Sequence, residues 1–144
     1  MADERQVVWM PGGVRTEIQL DGEDTGGAFC LLVDEPLPGW ALPPHIHVDA
    51  AETIHVVAGE FELTVDGGTV RLGPGQTLHV PAGVVHSGRH VGELPGRRLL
   101  VFSPAGMEEF FREAGAASPA AEPDRRAVLA AAGRHGWRFP DPPR

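Results

Sequence analysis

The sequence has no lysine and only one cysteine. All 12 basic residues are arginine, against 20 acidic residues, which gives a formal net charge of -8. Because nucleic-acid recognition normally needs clustered basic side chains, no nucleic-acid partner is expected, and anionic membrane surfaces are disfavoured for the same reason. The single cysteine, Cys30, excludes an intrachain disulfide, and nothing indicates an oxidising compartment.

Long apolar runs are also missing. The first ten residues, MADERQVVWM, begin with acidic side chains and lack a long apolar core, which predicts neither a signal peptide nor a membrane span. A cytoplasmic protein is therefore expected. The glycine-rich turns at 67–68 and 73–75 lack the strand-to-helix setting of a phosphate-binding loop, so no nucleotide site is predicted.

The length and the spacing of the apolar residues predict one all-β domain. A chain of 144 residues is long enough to bury one core, which we place at about 14–103 of a single domain 1–144. Many short apolar or alternating segments, separated by glycine and proline, indicate a sandwich or barrel. Val14–Leu20 alternates with period two, and Arg97–Ser103 is the last clear strand.

Helical patterns occur only in the C-terminal tail, at about 104–144. We predict a first helix that starts at Ser103 or Pro104, runs through Met107–Ala114 and ends at Gly115, and an alanine-rich second helix at 122–133. The segment 137–144, with three prolines, is expected either to pack as an extended arm or to be loose.

Three histidines and one glutamate form a candidate metal site. His45 and His47 are two residues apart in an extended segment, so both side chains leave one face of a strand, roughly 6.5 Å apart along it. Glu52 opens the next apolar run, and His86 follows a Pro-Ala-Gly corner. This nitrogen and oxygen set suits a divalent ion such as Fe, Mn, Co, Ni, Cu or Zn, and an octahedral ion would keep positions free for substrate.

The spacing of these residues resembles the two sequence motifs of the cupin superfamily. The first motif is Gly, five residues, His-x-His, three or four residues, Glu, six residues, Gly; the second is Gly, five residues, Pro-x-Gly, two residues, His, three residues, Asn. The chain matches the first at Gly39, His45, His47, Glu52 and Gly59, and the second at Gly75, Pro81, Gly83 and His86. It departs from the family at His90, which stands at the asparagine position. Segment 103–112 also looks like the end of many small bacterial cupins.

The resemblance implies a jelly roll with short C-terminal helices and several possible functions. The first is a metal-dependent enzyme that acts on a small oxygen-bearing molecule, aromatic or polyketide-like. Dioxygenases of the quercetin-cleaving type carry this ligand pattern, and the resemblance implies that Glu52 serves as both ligand and catalytic base. The second is a non-redox polyketide cyclase or isomerase with a zinc-type ion. The third is a non-catalytic small-molecule binding protein, because a fold alone does not fix function.

Further residues are candidates for the lining of the pocket. His55 faces away from Glu52 by strand parity, so we expect it to be structural or at the pocket edge, whereas His79 is expected to line the cavity. His90 shares the parity of His86 but lies roughly 13 Å further along the strand, which suits the cavity mouth. A four-histidine site with Glu52 displaced stays open as an alternative. The expected apolar walls are Ile54, Val56, Phe61, Leu63 and Phe102.

A homodimer is expected from the N-terminal strand. The apolar run at 7–10 would otherwise leave an exposed sheet edge, and the cupins that the chain resembles often pair.

Overall fold

The computed structural model describes residues 6–140, in which two antiparallel sheets carry most of the chain. Three helices accompany the strands: α1 (Gly22–Thr25), α2 (Met107–Ala114) and α3 (Arg125–Arg134). The strands are β1 (Gln6–Met10), β2 (Val14–Leu20), β3 (Cys30–Glu35), β4 (Ala41–His47), β5 (Ala51–Ala58), β6 (Phe61–Val65), β7 (Gly68–Leu72), β8 (Thr77–Val80), β9 (His86–His90), β10 (Arg97–Ser103) and β11 (Trp137–Arg138).

The two sheets form a sandwich with the apolar core between them. One sheet has six strands in the order β1-β2-β3-β10-β5-β8, and the other has five in the order β11-β4-β9-β6-β7. Consecutive strands repeatedly lie in different sheets, so long-range pairings hold the fold together. The predicted all-β class is confirmed, as a sandwich and not a closed barrel.

Local sequence patterns predicted most of these elements. The predicted bounds of β2 and β10 agree with the structure. Helix α2 ends where predicted but begins at Met107, after the predicted start at Ser103 or Pro104, because the backbone at Gly106 has φ +142°, outside the helical region. The helix α1 was not predicted, because its sequence reads as a turn. It exists because the Asp21 carboxylate accepts the Asp24 backbone N–H at 3.0 Å while the Asp24 carboxylate accepts the Asp21 N–H at 3.0 Å, which makes a capping box.

The end of the described chain, residues 137–140, packs as an extended arm, which we call the C-terminal arm. Asp124 caps α3 by accepting the Ala127 backbone N–H at 3.2 Å, so this helix begins at Arg125, three residues later than predicted from the alanine-rich pattern. After it, β11 pairs antiparallel with β4. Of the two predicted alternatives for the tail, the packed arm is confirmed for residues 137–140; residues 141–144 lie outside the described part of the chain.

The core contains the inward positions of both sheets. In β5, burial alternates strictly from Glu52 to Val56, as period-two geometry requires of a strand covered on one face. Helix α2 adds its apolar face against the sandwich, with Phe110 and Phe111 buried. The apolar side chains that were predicted to face inward are all buried: Ile54, Val56, Phe61, Leu63 and Phe102.

One ion pair is buried inside the sandwich. Arg98 on β10 lies opposite Asp34 on β3, with Nε to Oδ1 at 3.0 Å and Nη2 to Oδ2 at 2.6 Å. The guanidinium lies 4.5 Å from the Trp40 ring centre and 5.2 Å from that of Phe61. Burial alone would lower the pKa of Arg98, but the Asp34 carboxylate outweighs it and holds that pKa above its ordinary value.

The N-terminal strand and the helices bear on the predictions about assembly and membrane insertion. Strand β1 is an edge of the six-stranded sheet, and Trp9 in it exchanges two backbone hydrogen bonds with Ala116, at 2.9 and 2.8 Å. The homodimer and the single domain 1–144 stay predictions. Among residues 6–140, no helix is both long and apolar enough to cross a membrane.

We predict that removing one partner of the Arg98–Asp34 ion pair destabilises the protein more than replacing both partners with apolar residues. Asp34→Ala leaves the Arg98 charge buried without its partner, so it should lower the free energy of unfolding by about 3–5 kcal/mol. The double variant Asp34→Leu, Arg98→Leu should lose less, because no charge stays buried. Urea unfolding measures both.

The exposed pair of Arg89 and Glu62, 3.1 Å apart, is the matched control. Glu62→Ala should cost less than about 1 kcal/mol. An equal loss for Glu62→Ala and Asp34→Ala would contradict the prediction.

Candidate metal centre

The structure brings together the four side chains that the sequence predicted as ligands. One ligand atom from each of His45, His47, Glu52 and His86 lies within 4.8 Å of the others. All four residues are buried, the most exposed being Glu52 at 6%. Because buried charges and imidazoles need partners, this cluster is built to hold a cation.

Strand geometry explains how the cluster forms from separate segments. His45 and His47 leave one face of β4, and His45 is directly opposite His86 on the neighbouring β9. Glu52 belongs to the other sheet, where it pairs with Phe102 of β10 and also faces inward. Three imidazoles from one sheet therefore meet one carboxylate from the other across the sandwich.

Backbone carbonyl groups orient two of the imidazoles. His45 Nδ1 lies 2.8 Å from the Pro43 oxygen, and His86 Nδ1 lies 3.1 Å from the Val84 oxygen. A carbonyl oxygen only accepts, so both Nδ1 atoms carry the proton. In their neutral forms His45 and His86 then present an unprotonated Nε2, which is the form a metal requires.

Glu52 Oε1 lies between two imidazole nitrogens. It is 3.2 Å from His86 Nε2 and 3.3 Å from His47 Nε2. Since His86 already uses its Nδ1 proton, a neutral His86 would direct a lone pair at the carboxylate, and the two acceptors would repel each other. With the Val84 contact kept, either a second proton on His86 or a metal ion at this point would remove the repulsion.

The pKa shifts follow from this contact. Burial alone would raise the pKa of the Glu52 carboxyl, but hydrogen bonds and charges from His47 and His86 outweigh it and hold that pKa well below its ordinary value. Burial alone would lower the pKa of His86, and the Glu52 carboxylate instead raises it. Burial, together with the neighbouring imidazoles, lowers the pKa of His45 to about 3, so His45 is neutral near pH 7.

These properties fit a divalent metal ion. Three imidazole nitrogens and one carboxylate oxygen are ligands that Fe, Mn, Co, Ni, Cu and Zn share, so the set does not select one of them. His45, His47, Glu52 and His86 are the residues that could hold the ion. The predicted divalent metal cofactor is confirmed at this level, with the identity of the ion open.

Sequence reasoning missed an aromatic residue next to the cluster. Trp137 stacks on the His45 ring with centroids 4.7 Å apart and lies edge-on to His47 at 4.5 Å. Phe102 contacts His47 from β10 at 5.4 Å, again edge-on. Trp137 is 90 positions after His47, and no local pattern in the sequence could link them.

The structure does not bring His55 or His79 to the cluster. His55 Nδ1 bonds the Thr77 hydroxyl at 2.7 Å, and His79 Nδ1 bonds the Thr53 hydroxyl at 2.9 Å, on the outer face of β5 and β8. Strand alternation puts Glu52 on the opposite face. Neither histidine lines the interior, which agrees with the parity prediction for His55 and corrects the expectation for His79.

His90 is buried, which corrects its predicted place at the cavity mouth. It is 5% exposed and packs against the Phe61 ring at 4.9 Å. The Gly92 backbone N–H donates to its Nδ1 at 3.0 Å, and the chain folds over the ring so closely that a Cβ at Gly96 would lie 3.1 Å from Nε2. His90 is not among the four clustered ligand residues, so it does not complete a four-histidine shell.

The same packing explains one motif glycine. Gly59 has φ +87°, and a Cβ there would lie 2.9 Å from the Gly96 Cα and 3.2 Å from His90 Nε2. Both the left-handed backbone and the lack of space restrict this position to glycine.

Comparisons with known proteins agree with the fold and the site. The fold is a two-sheet β-sandwich, and three histidines and one glutamate in its interior form a site that could hold a metal ion. Residues 34–102 match the family model described as "Cupin domain". Residues 34–102 therefore form a cupin domain, as the motif spacing predicted.

Two relatives and one solved structure illustrate the range of this similarity. Quercetin 2,3-dioxygenase of Bacillus subtilis is 34% identical over 96 residues, 65% of this chain and 27% of the relative. Polyketide synthase CurC of Streptomyces cyaneus is 30% identical over 90 residues, 62% of this chain and 58% of the relative. The structure of KdgF from Halomonas sp. superposes with a TM-score of 0.65 at 21% identity, over 76% of this chain and 94% of that one, and so supports the fold alone. The chain thus spans less than two thirds of the length of either sequence relative.

We predict that the protein binds one divalent ion per chain and that His47→Ala removes it. Loss of one imidazole leaves Glu52 and two histidines, which should lower bound metal to a small fraction of one equivalent. Elemental analysis after dialysis against buffered metal measures this.

His55→Ala is the matched control, because His55 lies on the same strand as Glu52 but faces outward. It should retain full metal, as should His90→Asn. Retention by His47→Ala would mean that the ligand set is wrong.

We also predict a pH window for the metal-free protein. The lowered pKa of Glu52 gives stability above its ordinary value of 4.5, which is lost as pH falls below it. The raised pKa of His86 gives stability below its ordinary value of 6.5, which is lost as pH rises through the folded-state pKa. The contact should therefore stabilise the metal-free protein most between these two values.

Urea unfolding of wild type and Glu52→Gln in chelator, at several pH values, tests this window. The stability difference between the two should peak between pH 4.5 and 6.5. With saturating Zn²⁺ the wild type should instead gain stability as pH rises through the histidine range, because metal ligands must be deprotonated. A flat difference in chelator would contradict the assigned contact.

Proposed function

We propose that this cupin is a metal-dependent enzyme acting on a small oxygen-bearing organic molecule, aromatic or polyketide-like, with dioxygenase chemistry as the first candidate. The observation that carries the proposal is the convergence of three imidazole nitrogens and one carboxylate within 4.8 Å in a buried site. Four protein ligands leave an octahedral ion with open positions, which a purely structural ion does not need.

The similarity to quercetin 2,3-dioxygenase supports the dioxygenase candidate. When bound, the ion supplies Lewis acidity toward a substrate oxygen and, if it is redox-active, a means to use O₂. The dioxygenase candidate therefore requires Fe, Mn, Ni, Cu or Co in the site, whereas Zn disfavours it.

Glu52 is the residue that we assign to proton transfer. Its contacts with His47 and His86 both use Oε1, which leaves Oε2 as the oxygen that takes a proton from a substrate hydroxyl. The lowered pKa keeps this carboxylate ionised and ready to accept, but also makes it a weak base. Its basicity rises when it leaves the two imidazoles, so proton transfer should accompany a swing of the side chain.

The apolar residues around the cluster are assigned to orienting the substrate and excluding water. Phe102 and Trp137 present aromatic rings beside His47, and Met107 contacts the Trp137 indole. Such walls favour a planar, weakly polar ligand that reaches the ion through an oxygen atom.

A non-redox polyketide cyclase or isomerase is the second candidate. The similarity to polyketide synthase CurC favours it, because more than half of that relative is matched. In this reaction Glu52 would remove a proton next to a carbonyl, without O₂. A binding protein without turnover is the outcome left if neither activity is found.

The metal found in the purified protein separates the two candidates. Elemental analysis and O₂ consumption should be measured with flavonols and with polyketide-like diketones. Zn with turnover but no O₂ uptake would replace the dioxygenase with the cyclase or isomerase.

We predict that Glu52→Gln lowers turnover much more than it lowers metal content. An amide keeps one oxygen for the ion but cannot accept a proton, so kcat should fall by about 10²–10⁴-fold. His86→Ala should instead lose metal and turnover together. Metal content per chain and kcat of the same preparations measure the contrast.

Two results would contradict the assignment of Glu52. Loss of all metal in Glu52→Gln would reduce it to a ligand. Unchanged metal and turnover would remove it from both roles.

A further inference from the structure

The residue Trp137 has a defined place beside the ligand strand. Strand β11 pairs with β4 so that Trp137 lies opposite His47, and the Val48 backbone N–H donates to the Gly136 oxygen at 2.9 Å. Residues opposite each other on neighbouring strands project from the same face of the sheet. The C-terminal arm therefore places its tryptophan on the face that carries the ligand imidazoles.

The contacts of Trp137 fix its ring between the cluster and helix α2. Its indole stacks on His45 with 24° between the planes and meets His47 at 84°. Its Nε1–H donates to the Met107 sulfur at 3.1 Å. One ring thus contacts two of the three ligand imidazoles and is itself held from the opposite side.

The three imidazoles differ in what holds them. His45 and His86 each donate Nδ1–H to a backbone carbonyl, as described above. His47 Nδ1 is buried and has no hydrogen-bond partner among residues 6–140. Apart from the contact of its Nε2 with the Glu52 carboxylate, its ring is held by packing against aromatic rings, among them Trp137 on β11 and Phe102 on β10.

We propose that Trp137 is a positioning residue of the metal centre, which holds the His47 ring with Nε2 toward the ion and supports His45 by stacking. This role, which rests on the proposed metal site, corresponds to the one that the Pro43 and Val84 carbonyls have for the other two imidazoles. Outer groups that orient ligands normally act through hydrogen bonds, and their loss costs about 10–100-fold in metal affinity. Here aromatic contact replaces that hydrogen bond.

The C-terminal arm is anchored well enough to serve this purpose. Glu113 at the end of α2 accepts from Arg134 at 2.9 Å and contacts His135 Nε2 at 3.0 Å. These contacts join α2 to the turn directly before Trp137. The position of the tryptophan is therefore set by the helices and by β4 together.

The test compares Trp137→Leu and Trp137→Phe with Trp9→Phe as matched control. Trp9 lies on β1 and bonds Ala116 through its backbone, away from the metal residues. Co²⁺ affinity is measured by titration of the purified full chain, with the electronic spectrum of bound Co²⁺ as the report of ligand geometry. Urea unfolding in chelator measures the stability of each metal-free variant.

We expect changes in Co²⁺ binding only for the variants of Trp137. Trp137→Leu should weaken Co²⁺ binding about 10–100-fold and change the Co²⁺ spectrum. Trp137→Phe, which keeps an aromatic face, should stay closer to wild type, and Trp9→Phe should not differ from it. A merely structural role would lower stability in chelator and leave affinity and spectrum unchanged, which would overturn the proposal.

A second measurement covers the case in which Trp137→Leu does not fold. In the double variant Trp9→Phe, Trp40→Phe, the remaining tryptophan of the chain is Trp137. Its fluorescence should be quenched by one equivalent of Co²⁺, because its ring lies against two ligand imidazoles. Unchanged fluorescence at saturation would overturn the proposal.

Failure of the metal site itself gives a different pattern. If wild type and His47→Ala bind equally little Co²⁺, both the proposed function and this inference fail. If wild type binds, His47→Ala does not, and Trp137→Leu equals wild type, only this inference fails.

Discussion

A single buried carboxylate between imidazoles is the constraint on which the interior of this protein depends. Glu52 Oε1 lies within 3.3 Å of the Nε2 atoms of His47 and His86, and two backbone carbonyls direct the other nitrogens of His45 and His86 away from it. In a medium of low dielectric constant a positive charge among these groups stabilises them together. The site is thus ready for a cation before any ligand arrives.

The sandwich separates this centre from a second polar group in the same interior. Arg98 and Asp34 neutralise each other and are covered by Trp40 and Phe61, so they complete their own hydrogen bonds and need no ion. The metal residues instead leave two imidazole Nε2 atoms facing one carboxylate oxygen of Glu52. The Arg98–Asp34 pair therefore has a structural role, because its hydrogen bonds are complete. The candidate metal residues have ligand atoms available to bind an ion.

The cupin domain at residues 34–102 fixes the fold and the ligand positions but not the reaction. The sequence relatives include proteins named quercetin 2,3-dioxygenase and polyketide synthase CurC. The differences must therefore lie in the groups around the ligands. Trp137, which comes from the C-terminal arm outside the matched residues 34–102, is one such group, and so is His90 at the family's asparagine position.

The sequence by itself determined what depends on near neighbours in the chain. Period-two alternation gave β2 and the inward direction of Glu52 against the outward direction of His55, and motif spacing gave the four ligand residues. Only the tertiary structure decided which distant groups meet: Trp137 with His45 and His47, Arg98 with Asp34, and the segment at 92–96 that buries His90. The physical reason is that periodicity and local hydrogen bonds fix the face from which a side chain leaves its strand, whereas contacts between strands far apart in sequence depend on sheet order and register, which follow from the packing of the whole core.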